Sequence, residues 1–156
     1  MTYQAFTHHG DIFNIRDVIE RFEELESSLE SAFEQETESG GTNLDFDEWI
    51  DAVIKDQPAA NAHEYWDEAS EYRVINRLLD EVRGYGGDEQ WRGDWYPVTF
   101  IADEYFTEYA IDMLKDCGEL PADIPHYIVI DEESTAKNIK QDYSTVEIEG
   151  FIYWYR

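Results

Sequence analysis

Apolar residues recur at helical spacing early in the chain. Ile15, Val18, Ile19, Phe22, Leu25, Leu29 and Phe33 share one face of a helix predicted over residues 14 to 37. Asn14 stands at the N-cap position, and Gly40 and Gly41 follow the last turn. Trp49, Ile50, Val53 and Ile54 predict a second helix from about Phe46 to Gln57. Asp45 with Glu48 three residues later marks its start, because each side chain can reach the other's amide, and Pro58 closes it. After the loop QPAANA, Asn61 and Glu64 repeat that cap pattern. They introduce a third helix with Tyr65, Ala69, Tyr72, Ile75, Leu79 and Val82 inward and Gly84 at its end.

The period then changes. GYGGDEQWRGDW, from Gly84, reads as a glycine-rich surface loop, and the following WYPVTFI as a strand rich in β-branched and aromatic residues. Asp103 caps a helix with Phe106, Tyr109, Ala110, Met113 and Leu114 inward and Gly118 after it. HYIVI, from His126, reads as a short extended segment, and DEESTAKNIKQ as a short helix from Asp131. STVEIEGFIYWYR reads as a hairpin turning at Glu149 and Gly150. The fold class is therefore α+β: an acidic helical region over residues 1 to 57, then a region over residues 58 to 156 in which helices pack on a small antiparallel sheet.

Charge is what sets this sequence apart. The 156 residues hold 37 acids against 11 bases, a formal net charge of -26, while 42% hydrophobic and 15% aromatic content still supply a core. From Phe22 to Ile54 there are eleven carboxylates and not one Lys or Arg. A net charge of about 2 to 8 already keeps a small domain soluble, so solubility alone does not account for the excess. Such a surface repels DNA, RNA and anionic membranes, and its natural partner is basic. Cys117 is the single cysteine, no basic and apolar leader is visible near the N-terminus, and no apolar run reaches the ~18 residues that span a bilayer; a cytoplasmic protein is expected.

On the first helix, Glu20, Glu23, Glu30, Glu34 and Glu38 gather opposite the apolar stripe at ~100° per residue. Glu24 and Glu26 on the same helix, with Asp47, Glu48 and Asp51 on the second, complete the candidate partner-binding carboxylates. Carboxylates four residues apart rise ~6 Å along a helix, comparable with the spacing of phosphates along one DNA strand. A net 26 charges match the phosphates of roughly 13 base pairs. These acids are candidates to stand in for phosphate in the basic groove of a DNA-binding protein. The plainer alternative is a heavily solvated surface.

Other chemistries fall short on spacing. His63-Glu64 opens a zincin-like pattern, but Asp67 stands where the second imidazole belongs. Asp45, Asp47 and Asp51 suggest a calcium loop, but Ile50 occupies the position that needs glycine. His8, His9 and His126 lack a ligand cluster, and Cys117 lacks a histidine partner. There is no phosphate-binding lysine loop, dinucleotide fingerprint or nucleophile elbow. No enzymatic activity, cofactor or metal is expected.

The stretch Ile130 to Arg156, IDEESTAKNIKQDYSTVEIEGFIYWYR, resembles the C-terminal signature of ArdA-type antirestriction proteins and their phage-encoded relatives. The resemblance rests on Ile130-Asp131, Glu133, Ala136, Asp142-Tyr143, Val146-Glu147, Gly150 and Tyr153-Trp154-Tyr155-Arg156, with YFTEYAIDMLKDCGELP as the preceding helix. It covers about residues 95 to 156. Glu132 stands where the family usually has an aromatic residue, and residues 1 to 94 do not resemble the front of full-length members. The resemblance implies an acidic, commonly dimeric DNA mimic, hence a possible homodimer, that blocks type I restriction-modification enzymes. Another DNA-handling target, such as a CRISPR effector or a transcription regulator, and an acidic structural or metal-binding protein are the alternatives.

Overall fold

The computed structural model describes residues 11–40, 43–55, 64–121 and 123–156. Along the chain run β1 (Ile12–Asn14), α1 (Ile15–Glu38), α2 (Phe46–Lys55), α3 (Trp66–Val82), β2 (Asp88–Trp91), β3 (Asp94–Tyr96), β4 (Thr99–Ala102), α4 (Asp103–Asp116), α5 (Glu132–Lys140), β5 (Ser144–Ile148) and β6 (Phe151–Tyr155). The class is α+β. Two compact units divide the described residues: one within 16–81, the other within 11–15 and 82–156.

The first unit is helical. Along α1, Val18, Ile19, Phe22, Leu25, Leu29 and Ala32 are buried, and each such side chain contributes about 1.5–3 kcal/mol for the larger residues. Ala69, Tyr72, Ile75, Leu78 and Leu79 of α3 and Trp49, Ile50 and Val53 of α2 are buried as well. Phe22 stacks on Tyr72 at 4.8 Å between ring centroids, and Phe33 meets Phe46 edge-on at 5.6 Å. The N-terminus of α2 closes as its sequence requires. The Glu48 amide donates to Asp45 Oδ1 at 2.8 Å while the Asp45 amide donates to Glu48 Oε1 at 3.2 Å. Pro58 and Asn61 lie outside the described residues.

The second unit is built on a four-stranded antiparallel sheet ordered β1-β4-β6-β5. Phe13 stacks on Phe100 at 4.9 Å across the β1-β4 pair. Helices α4 and α5 bring Phe106, Ala110 and Ala136 against Ile101 in one buried cluster. The β5-β6 hairpin turns at Glu149 and Gly150, both at positive φ (51° and 87°), the two-residue turn whose twist matches the strands.

Two expectations need correction, and one element was not anticipated: Ile12–Asn14 form β1, which pairs with β4, directly before the helix begins after Asn14 as its spacing requires. Three residues are too short for alternation to register. The glycine-rich stretch is not a plain loop: β2 and β3 pair across a turn at Arg92 and Gly93. Gly87 is fixed by sterics there, since a Cβ would lie 1.8 Å from the Tyr96 carbonyl oxygen at a φ of +68°. Asp103 is the first residue of α4 rather than its cap, a position taken by Ala102 without a side-chain bond. HYIVI joins neither sheet.

Candidate partner-binding surface

Helix α1 presents its carboxylates as the 3.6-residue repeat dictates. Glu20, Glu23, Glu30, Glu34 and Glu38 are exposed, and at 100° per residue they fall within an arc of about 80°. From Glu20 to Glu38 the ridge runs about 27 Å along the axis. Glu20, Glu30, Glu34 and Glu38 have no salt bridge among the described residues. Five carboxylates over that length stand about 7 Å apart on average along the axis, about half the axial charge density of a single DNA strand at 3.4 Å per phosphate and a quarter of a duplex's.

The other five sequence candidates have local duties. Glu24 receives the Arg21 guanidinium at 3.3 Å. Glu26 sits half-buried on the shoulder of the helix. Burial, then the charge of Glu26, then that of Asp47, push the Tyr72 phenol up to about 12. Arg73 of α3 holds Asp51 at 2.9 Å and approaches Asp47 at 3.8 Å, while also donating to the Asp47 carbonyl at 3.1 Å. Glu48 is engaged in the cap of α2. The run from Phe22 to Ile54 has no base in sequence, yet α3 brings one to it.

Two further carboxylates do structural work that charge counting missed. Glu71 is 2% exposed and binds Arg21 through two parallel bonds of 2.8 Å, Nε to Oε2 and Nη2 to Oε1. That bond is the main reason Arg21 is held even more firmly protonated than usual. Glu36 accepts the Trp49 indole N–H at 2.6 Å. Nearby, burial first, then Asp67, Glu64 and Glu71, push the Glu68 carboxyl up, with Arg21 opposing them. The sequence carried the signal for Glu71. On a helical wheel it falls between Leu78 and Val82, inside the apolar arc of α3, where a carboxylate requires a cation.

In the second unit Asp103 accepts from the Trp154 indole at 2.8 Å and from Lys140 at 3.3 Å. The Trp154 bond, more than the Lys140 bond and charge, holds its carboxyl below the usual range despite some burial. Lys140 lies 4.8 Å over the Trp154 ring. A half-open hollow of about 190 Å³ is lined by Val98, Thr99, Ile101, Tyr109, Met113, Tyr143 and Arg156 with Gly87. Its ionisable lining groups are the Tyr109 and Tyr143 phenols and the Arg156 guanidinium. Comparison with known proteins brings no relative: no protein family matches the chain, and no characterised protein or solved structure is detectably similar to it.

Among the described residues no group of three or more His, Cys, Asp or Glu is placed to hold a metal ion. His8, His9 and His63 lie outside them, and Cys117 is exposed at the C-cap of α4. No described helix is long and apolar enough to cross a membrane. What the described surface offers chemically is an array of fixed negative charge.

Proposed function

We propose that the chain is a DNA-mimic inhibitor that occupies the basic DNA-binding groove of a host defence enzyme, a type I restriction-modification system. The observation that carries this reading is the ridge of Glu20, Glu30, Glu34 and Glu38, exposed and without salt bridges among the described residues. Solvation alone would be served equally well by interleaved Lys. Spacing Glu30, Glu34 and Glu38 four apart costs the helix a few tenths of a kcal/mol per pair. A groove lined by Lys and Arg supplies the compensation, with affinity spread over many weak contacts.

The resemblance of residues 95 to 156 to ArdA-type proteins directs the choice of target within that class. On this reading the chain binds the enzyme and not nucleic acid, and needs no cofactor. The test is the plating of unmodified phage on cells carrying a type I restriction system, with and without the chain expressed. Rescue of plating is expected. Absence of rescue with abundant folded protein would turn the reading toward another DNA-binding target, such as a CRISPR effector or a transcription regulator.

A further inference from the structure

In so charged a chain the segment Ile124 to Ile130, IPHYIVI, carries no charge. Within it Tyr127, Ile128 and Val129 are 76%, 48% and 87% exposed. His126 and Tyr127 form a turn, and beyond it Ile128 and Val129 remain exposed without joining either sheet, while Ile130 is partly covered. The segment is held in shape at its start. The Ile128 amide donates to the Pro125 carbonyl at 2.9 Å, and the His126 and Tyr127 rings meet edge-on at 5.5 Å. Among the described residues the amides of Tyr127, Val129 and Ile130 have no backbone acceptor.

We propose that residues 126 to 130, an exposed apolar turn with the unpaired stretch that follows it, are a docking segment for a basic protein partner, laid into an apolar cleft rimmed by Lys or Arg. The charges around the segment specify that rim. From Asp116 to Glu133 there are six carboxylates and no base, and all six are exposed: Asp116, Glu119, Asp123, Asp131, Glu132 and Glu133. Hydrogen bonds from the Ser134 amide and hydroxyl hold the Asp131 carboxyl below the usual range. Nucleic acid and anionic lipid are repelled by this set. A second copy paired antiparallel would bring Asp131 of one chain toward Asp123 of the other. A basic protein meets no such conflict, and the exposed Tyr127, Ile128 and Val129 side chains offer it an apolar anchor inside that ring of carboxylates. The inference rests on the DNA-mimic reading and adds to it a component of affinity that salt does not screen.

The test is equilibrium binding to the purified methyltransferase core of a type I restriction enzyme at low and at physiological salt. The variants are Tyr127→Ser/Val129→Ser and, separately, Glu30→Gln/Glu34→Gln/Glu38→Gln. The serine variant, whose melting midpoint should match the wild type because both side chains are exposed, is expected to bind roughly 10- to 100-fold more weakly at both salts. Its salt dependence should be unchanged, whereas the glutamine variant should flatten it. Wild-type binding with unchanged affinity in the serine variant overturns the docking segment and leaves the DNA-mimic reading standing. No binding by the wild type overturns the antirestriction reading and this inference with it. A dimer that becomes a monomer in the serine variant, or wild-type binding to zwitterionic vesicles that the variant loses, also overturns it, assigning the segment to a second copy or to a membrane.

Discussion

Replacing Arg21 by Met should be among the most destabilising single changes at a partly exposed position of this chain. The Arg21 side chain is 36% exposed, but its partner Glu71 is 3% exposed. Removing the guanidinium leaves a buried carboxylate with no cation. Breaking a buried pair from one side costs ~3–5 kcal/mol, and the access of water to this site from the Arg21 side brings the expected loss to about 2–4 kcal/mol. Glu71→Leu should cost less, about 1–2 kcal/mol, because the freed guanidinium can turn to Glu24 and to water. The double variant Arg21→Met/Glu71→Leu should lie within about 1 kcal/mol of wild type, since apolar replacement of both partners removes the desolvation cost along with the attraction. The cycle therefore predicts a coupling of roughly 4 kcal/mol. Urea denaturation followed by circular dichroism and by tryptophan fluorescence reads it. Additive single effects, or a loss below about 1 kcal/mol for Arg21→Met, would refute a dominant buried pair. Glu71→Leu should leave partner binding unchanged, which separates the acids that hold the fold from those that face outward.

Glu34→Gln relieves two like-charge contacts, with Glu30 and with Glu38, and should stabilise the chain by about 0.4–1 kcal/mol in thermal melts while slightly weakening partner binding. Added salt should raise the melting midpoint of the wild type by screening self-repulsion, and a fall with salt would count against that picture. Asp103→Asn should destabilise at neutral pH. Because the folded-state pKa of Asp103 is depressed, the carboxylate's contribution is present above its unfolded value and lost as pH falls through the folded one, so wild type and variant should converge in acid melts. Gly87→Ala should disrupt the β2-β3 hairpin, which the fluorescence of Trp91 and Trp95 reports, because the new methyl group would overlap the Tyr96 carbonyl.

The helices were legible because their apolar faces are long enough for the 3.6-residue period to repeat: Val18 to Leu29 on α1 and Ala69 to Leu79 on α3 are buried as the spacing requires. The terminal hairpin was legible from Glu149-Gly150. What escaped is set by distant partners. β1 is recognisable only once β4 lies beside it, and the charged, exposed start of β2 at Asp88 and Glu89 gives no alternation. The same limit applies to the candidate surface. Sequence spacing separates the ridge of Glu20, Glu30, Glu34 and Glu38 from the core, but it does not reveal that Arg73 crosses from α3 to Asp47 and Asp51. Nor does it reveal that Arg21 turns inward to Glu71. An acid is available to a partner only if no base in the fold reaches it first.

Displacement of a labelled duplex from the methyltransferase core of a type I restriction enzyme tests the central claim most directly. DNA mimicry predicts that the wild-type chain releases the duplex competitively, that added salt weakens the competition, and that Glu20→Gln/Glu30→Gln/Glu34→Gln/Glu38→Gln loses most of it while remaining folded. A duplex that stays bound at saturating protein, or a quadruple variant that competes as well as wild type, would contradict the claim that these carboxylates stand in for phosphate.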